Sequence, residues 1–358
     1  MSTTPDRSSV QIGALVPLTR PGWVEAGRHL LAGLELGVRE ANAAGGIGGR
    51  PLGLVVRDTA ADPERAASAV TELAESGVVA IAGEYHSVVA RAAATRADAL
   101  GVPFLCSSAV LDTLTEQPTE WVARLAPPQS RGWQTYADFL LGAGHTRIAV
   151  AAQPSVYWAA GTRILWDYLE PRGGTVIEMR ALTDVCDELV DSRATALLLL
   201  VGTPEPAVPI VQSVRRDPRL ADLLIGAPAG QPEFAEWSRL LGDDGTAIPF
   251  LRYLPEQLTP LGARVETALR AELTEAPSFV AFEGYDTIAV LADLLRSHGV
   301  GRARIAESWS RVAVEGTRGP IRFARTQGIG VWQWVWPPIQ VVDRDPSDPG
   351  CLRIRHSR

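Results

Sequence analysis

Four glycines within five positions, Gly45, Gly46, Gly48 and Gly49 of ANAAGGIGGRP (41–51), are the first residues whose type and spacing could do chemistry. A glycine loop cradles a phosphate when it follows a strand and opens a helix, because helix-terminal N–H groups then point at the anion. Here the order is reversed. The glycines follow a helical pattern and precede the strand-like LGLVVRD, so Gly45 reads as the left-handed residue that stops a helix. A GxxxxGK[ST] loop is impossible as well, since all 34 basic residues are Arg.

Catalytic and metal patterns are similarly thin. The histidines (29, 86, 145, 298 and 356) are scattered. There is no HExxH, no G-x-S-x-G and no G-x-G-x-x-G after the first strand. Cys106, Cys186 and Cys351 lie far apart, without zinc spacing and in a number that leaves one unpaired. Asp243-Asp244 falls in loop-like sequence and reads as surface charge. No catalytic residue, metal or cofactor is expected, and an enzyme on a Rossmann-like sheet is the reading with least support. The net charge of −7 and pI near 5.4 argue against a nucleic-acid groove, which needs a basic stripe. Only nine residues precede Val10, too few for the helix-turn-helix of a repressor.

The remaining candidates are polar groups at strand ends, and the elements around them follow from hydrophobic pattern. At 358 residues, two lobes are the natural expectation. Strands are predicted at Val10–Pro17, Leu52–Asp58, Val78–Ala82 and Val102–Cys106, with helices at Trp23–Ala43, after Asp62-Pro63, and at Ser87–Leu100. Asp62 is placed as an N-cap with Pro at the first helical position. A second series follows Pro127-Pro128: helices at Gln129–Ala143, Val156–Arg172 and Pro206–Arg215, and strands at Arg147–Ala152, Thr175–Met179, Ala194–Val201 and Leu223–Gly226. Two further helices, Thr259–Leu273 and Val280–Ser297, precede GVWQWVWPPIQVV (330–342), which reads as a final strand pair. Strand–helix alternation of this kind predicts an α/β fold with doubly wound parallel sheets. MSTTPDRSS and the last dozen residues read as disordered. No run approaches 18 apolar residues, so no membrane-inserted segment is expected. The N-terminal stretch carries no signal-peptide pattern, which leaves a cytoplasmic protein or an extracytoplasmic one with its leader trimmed.

The run IGALVPLTRPGWVEAGRHLLAGLELGVREANAAGGIGGRPLGLVVRDTAADPERA resembles the opening of the branched-chain amino-acid type of ABC-transporter solute-binding proteins. These are periplasmic binding proteins of type I, a group that includes leucine-binding proteins and cytoplasmic amide sensors. The marks are Val16-Pro17, Asn42–Gly49, and Asp58 followed by Asp62-Pro63. GVVAIAGEYHS (77–87), GVPFLCSSA (101–109), EGYDTIAVLADLL (283–295) and GPIRFARTQG (319–328) extend the resemblance along most of the chain.

The resemblance implies two Rossmann-like lobes joined by three hinge crossings, near Arg124-Leu125, Leu251-Arg252 and Ile321–Phe323, with a ligand cleft between them. Residues 1–124 plus 252–322 would form lobe 1, and 125–251 plus 323–358 lobe 2. It implies non-catalytic binding of a small solute by hinge closure, for an ABC-type transporter or, alternatively, as a cytoplasmic ligand sensor. The partner would be a permease or a regulator protein, with no nucleic acid. Its ligand-binding residues would be Trp23 in the first loop, Tyr85, His86 and Ser87 after one strand, Ser107, Ser108 and Ala109 after the next, Tyr157 in the second lobe, and Pro228 and Gln231 after the strand ending at Gly226. Ser87 reads as an N-cap whose hydroxyl either caps its own helix or meets the ligand. Tyr157 either closes over the ligand or is a helix-entry aromatic, and His86 is either a neutral donor in the cleft or a surface histidine. Trp23, flanked by Pro-Gly, reads as a loop residue rather than core. The family's threonine two places after the second contact is replaced by Val110. The loop Ala227–Gln231 lacks the acid expected to pair with an α-ammonium group. A buried ammonium without a counter-charge is costly, so an amide, an aromatic acid or another neutral or anionic compound fits better, unless Glu84 or Glu233 reaches in.

Overall fold

The computed structural model describes residues 9–180, 182 and 185–357. Most of MSTTPDRSS therefore lies outside the described residues. The chain divides into two compact units, the first running to Pro128 and resuming over Gln257–Pro337, the second comprising Gln129–Glu256 and Pro338–Arg358.

The first unit begins β1 (Val10–Val16), α1 (Val24–Ala43), β2 (Leu52–Asp58), α2 (Pro63–Glu75), β3 (Ala80–Gly83), α3 (Ser87–Leu100), β4 (Phe104–Cys106) and β5 (Val122–Arg124). The second unit then builds α4 (Gln129–Gly142), β6 (Arg147–Ala152), α5 (Val156–Leu169), β7 (Thr175–Glu178), α6 (Val185–Asp191), β8 (Ala196–Leu200), α7 (Ala207–Arg216), β9 (Leu224–Gly226), α8 (Ala235–Leu241) and β10 (Phe250–Arg252). The chain returns to the first unit for α9 (Pro260–Leu273), α10 (Phe279–His298), α11 (Arg302–Ala306), β11 (Val314–Gly316), β12 (Gly319–Ile321), β13 (Phe323–Arg325) and β14 (Trp332–Trp334). It ends in the second with β15 (Gln340–Asp345) and β16 (Asp348–Ser357).

In the first unit a seven-stranded sheet has the order β13-β14-β5-β4-β3-β1-β2. Strands β1 to β5 are parallel. The four-stranded sheet of the second unit, β7-β6-β8-β9, repeats the same winding. Its β8, ALLLL, is buried along its whole length, as a central parallel strand covered on both faces requires. In both sheets the strand order reverses beside the first strand, at β1/β3 and at β6/β8. Loops on either side of such a switch point leave toward opposite faces and open a crevice at the carboxyl ends of the strands.

Local chemistry explains the early elements. Asp62 caps α2 by accepting from Glu64 N and Arg65 N, with Pro63 in the first turn. Gly45 lies at φ +94° just past α1, the left-handed stop read from sequence. Asn42 then ties the turn to the next strand, its amide accepting from Leu52 N (2.7 Å) and donating to Leu52 O (2.9 Å). Helix α10 packs on α1 with backbone nearly touching backbone. A Cβ on Gly33 would overlap the Ala281 carbonyl oxygen, and one on Gly284 the Leu30 carbonyl oxygen.

Three expectations are corrected. The stretch 330–342 is not a strand pair: β14 pairs with β5 and β13, whereas β15 pairs with β10 and β16. Because β13 and β14 extend the sheet of the first unit, the third passage between units falls after Pro337, not near Ile321–Phe323. Most of the last dozen residues form β16, held to β15 by an antiparallel ladder and by Arg353 and Arg355 on the buried Asp343. The tail alternates too many Arg and Asp residues to read as a strand, and its partner strand supplies the pairing.

Gly33→Ala should cost about 1–3 kcal/mol through overpacking, seen as a lower denaturation midpoint. Gly142→Ala, whose new methyl meets nothing within 4 Å, should leave the midpoint unchanged or slightly raised.

Candidate ligand-binding site

Loops at the switch point of the first unit are organised by two carboxylates. Asp58, at the end of β2, accepts from Leu18 N (2.8 Å), Ala60 N (2.9 Å), Arg65 and the Thr19 hydroxyl. Partial burial pushes its pKa up, but these hydrogen bonds and Arg65 outweigh it and hold the group below its usual value. The Asp read as a family mark thus fixes the loop after β1.

Glu84 follows β3. Gly83 before it has φ +116°, and a Cβ there would overlap the Leu15 carbonyl oxygen, so only glycine can make the turn. The Glu84 carboxylate is fully buried and accepts from Thr59 Oγ1 (2.7 Å), Tyr85 N (2.8 Å) and His86 N (2.8 Å). It shapes its own loop.

The imidazole of His86 bridges the two loops: Nε2 accepts from Trp23 N (3.4 Å), which places the ring proton on Nδ1, 3.3 Å from Glu84 Oε1. Tyr85 stands edge-on to Trp23 and to His86, with centroids 6.1 and 5.2 Å apart. Trp23, expected as a loop residue outside the core, is buried at 2% exposure. Its loop lies against Tyr85, a contact invisible to local composition. These three side chains therefore form one aromatic surface beside the β1/β3 switch point.

The serines divide by role. His86, not Ser87, is the N-cap of α3, and it makes no side-chain cap. Ser87 is the first helical residue, and its hydroxyl accepts from Val110 N (3.2 Å) and Leu111 N (3.3 Å). Arg124 holds the same segment from its carbonyl side, Nη1 donating to Val110 O (3.1 Å) and Leu111 O (2.6 Å). Ser107 is fully buried, accepts from Gly83 N (3.2 Å) and lies 2.8 Å from Thr287 Oγ1. Thr287 in turn gives its proton to Glu283 O, so Ser107 donates to Thr287 and has no proton to spare. Ser108 differs. Its buried Oγ meets no hydrogen-bond partner among the described residues. Ala109 contributes backbone, its N–H donating to Glu84 O (3.2 Å).

In the second unit Tyr157 is the second residue of α5, where Ser155 caps the helix by accepting from Tyr157 N (3.1 Å). The half-buried ring is set edge-on against Trp133 and packs on Trp158 at 4.6 Å between centroids. Gln129 Nε2 donates to Tyr157 O (3.0 Å). After β9, Pro228 and Gln231 are buried. Gln231 Nε2 donates to Val201 O at the end of β8, which fixes Oε1 as an acceptor; that oxygen meets no partner among the described residues. Glu233 accepts from Arg252 Nε (3.0 Å).

Sequence reasoning missed the buried group behind β3 and β4. Glu283 and Asp286 of α10 share one guanidinium, Arg318, all with fully buried side chains. Their i, i+3 spacing was the available signal, but the matching Arg lies in a distant hairpin. Elsewhere, Glu25, His29 and Glu275 lie close enough to suggest a metal. His29 Nδ1 accepts from Ser278 N (3.0 Å), so Nε2 carries the proton and donates to Glu275 Oε1 (3.1 Å). A metal-bound histidine is normally wired the other way, its second nitrogen donating, and the cluster reads as a structural hydrogen-bond bridge.

Periplasmic binding protein is the family that matches, over residues 9–335. The Leu/Ile/Val-binding protein homolog 7 of Brucella abortus is 31% identical over 123 residues, 34% of this chain and 31% of its own, so the match spans about a third of that relative. The branched-chain amino acid transporter substrate binding protein LivJ of Streptococcus pneumoniae, solved with isoleucine, superimposes with a TM-score of 0.81 at 20% identity, over 98% of this chain and 100% of its own. A solute binding protein of an ABC transporter from Rhodopseudomonas palustris, solved with 3,4-dihydroxybenzoic acid, gives 0.79 at 18% identity, over 95% and 94%. At these identities the two structures establish a shared fold.

Ser87→Ala leaves two buried amides without an acceptor, a local cost of about 1–3 kcal/mol. Hydrogen exchange at Val110 and Leu111 should quicken while the amides of β1 stay protected; unchanged exchange would mean the Ser87 hydroxyl does not hold this loop.

Proposed function

The chain belongs to the periplasmic binding protein family, and we propose that it binds a small neutral or anionic solute, an amide or aromatic acid, as the non-catalytic substrate-binding component of an ABC-type transport system. The solute is met in the first unit by the Trp23–Tyr85–His86 surface, by Ser108 and by the backbone around Ala109. In the second unit Tyr157, after β6, and the Pro228–Gln231 loop, after β9, are the corresponding strand-end groups. Ser87 and Ser107 act one step back, by holding the loops that carry these groups.

The observation that carries the ligand class is the engagement of both carboxylates that could have answered an α-ammonium group. Glu84 is enclosed by two amides of its own loop and by the Thr59 hydroxyl of the loop after β2, and Glu233 is paired with Arg252. Gln231 offers a neutral acceptor instead, aimed by its bond to Val201 O. An acceptor of that kind suits an amide N–H or a phenolic O–H and gives no compensation for a buried cation. The Trp23 and Tyr85 rings suit a flat apolar body. A relative named for leucine, isoleucine and valine and a structural neighbour holding isoleucine stand beside another holding a dihydroxybenzoic acid. The choice between these classes therefore rests on the charges of this chain's own loops.

A thermal-shift series with leucine, benzamide, benzoate and 3,4-dihydroxybenzoate tests the reading. A ligand at about 100 times its Kd adds roughly 2.7 kcal/mol to stability, a readable rise in Tm. Rises with the aromatic acids or the amide and none with leucine are expected; a rise with leucine alone would overturn the ligand class.

A further inference from the structure

Strands β5 and β14 lie side by side in the first unit, and each ends just before the chain leaves that unit. β5 runs out through Leu125 and Ala126 to Pro128, and β14 through Val335 to Pro337. Both exits carry a Pro-Pro pair, Pro127-Pro128 and Pro337-Pro338. Proline fixes its own φ and narrows the choices of the residue before it, so the exits bend little at the prolines themselves. Their direction is set by the residues just before, and there one side chain grips both. Gln333 stands opposite Arg124 in the short parallel ladder between the two strands. Its Nε2 donates to Ala126 O (2.8 Å) and Trp334 O (3.2 Å), one carbonyl on each exit, and its Oε1 accepts from Arg124 Nε (2.8 Å). Gln333 is 3% exposed and Arg124 fully buried. A buried amide with both N–H groups and its oxygen used in this way has a single orientation.

The same guanidinium reaches the other way. Arg124 Nη1 donates to Val110 O and Leu111 O, the segment whose amides Ser87 holds and which continues the Ser108–Ala109 loop. A path of hydrogen bonds, none longer than 3.3 Å, therefore runs from Ser87 through Arg124 and Gln333 to the Ala126 and Trp334 carbonyls. Contiguous networks of this kind can carry energetic coupling between separated groups.

We propose that Gln333 is a positioning residue for solute binding: it couples the loop after β4 to the two exits of the first unit, so that ordering one orders the other. This rests on the reading of Ser108 and Ala109 as solute contacts made above. Trp334 is itself anchored, its Nε1 donating to Pro320 O (3.0 Å), so the freedom that Gln333 controls begins at the Trp334–Val335 peptide. Without the Gln333 amide that peptide loses its grip, and Arg124 loses the acceptor that fixes its Nε beneath Val110 and Leu111.

Amide hydrogen exchange tests the coupling in two arms. Val335 N donates to Arg322 O (2.9 Å) and shares a peptide group with the Trp334 carbonyl, so it reports on an exit. Val110 and Leu111 report on the solute loop. Without solute, Gln333→Met should quicken exchange by about tenfold at Val335 and also at Val110 and Leu111, which Gln333 reaches only through Arg124. The β1–β2 ladder should stay protected. Gln333→Glu keeps an acceptor for Arg124 but has no donor for the two carbonyls, so Val335 alone should quicken. Unchanged exchange at Val110 and Leu111 in Gln333→Met, or at Val335 in Gln333→Glu, overturns the proposal whatever the protein binds. In the second arm, saturating 3,4-dihydroxybenzoate or benzamide should slow Val110, Leu111 and Val335 in the wild type. In Gln333→Met only Val110 and Leu111 should slow, and slowing of Val335 as in the wild type overturns the coupling. Wild-type exchange that neither compound changes anywhere overturns the solute class proposed above, and the first arm still decides the coupling.

Discussion

The first unit depends on how closely α10 can approach α1. Gly33 and Gly284 remove the side chains that would hold the helices apart, and each backbone then lies against the other's carbonyl groups. That approach lays the buried start of α10 beneath the ends of β3 and β4. Thr287 reaches the Ser107 hydroxyl there and passes its own proton to Glu283 O one turn earlier. A bulkier contact would withdraw Thr287 from the loop it supports. The loops at the switch point are therefore only as well placed as this helix pair is tight.

A second constraint is that nearly every strong polar group near these loops is already engaged. Asp58 and Glu84 are wrapped by N–H and O–H donors of their own and neighbouring loops, Ser87 and Arg124 hold opposite sides of the segment at Val110-Leu111, and Ser107 is the middle of a hydrogen-bond chain. Such groups confer rigidity. Ser108 Oγ in the first unit and Gln231 Oε1 in the second meet no hydrogen-bond partner among the described residues. Preorganised loops with a small number of aimed polar atoms are what a solute-binding site requires, since ordering flexible loops on binding would weaken affinity.

The buried Glu283–Arg318–Asp286 group has a structural role as well. It joins α10 to the β11–β12 hairpin, with Arg318 also stacked over Trp334 at 4.8 Å. Removing the arginine would leave two buried carboxylates facing each other, which is far more destabilising than the intact group is stabilising.

The sequence by itself determined the α/β class, the parallel winding, most element positions, the glycine stop after α1 and the Asp62 cap, because each is written in short-range periodicity and turn chemistry. It also brought out the strand-end residues Tyr85, His86, Ser108 and Gln231. Only the tertiary structure decided what each one does. Ser87 and Ser108 look alike in sequence, yet one hydroxyl is used by Val110 and Leu111 and the other is not. Trp23 carries loop flanks and is nonetheless buried, where Tyr85 of the loop after β3 meets it. Strands β14 and β15 are neighbours in sequence, but each pairs in a different sheet. In each case the partner lies tens to hundreds of residues away, and pairing between distant groups leaves no mark on the local pattern from which a sequence is read.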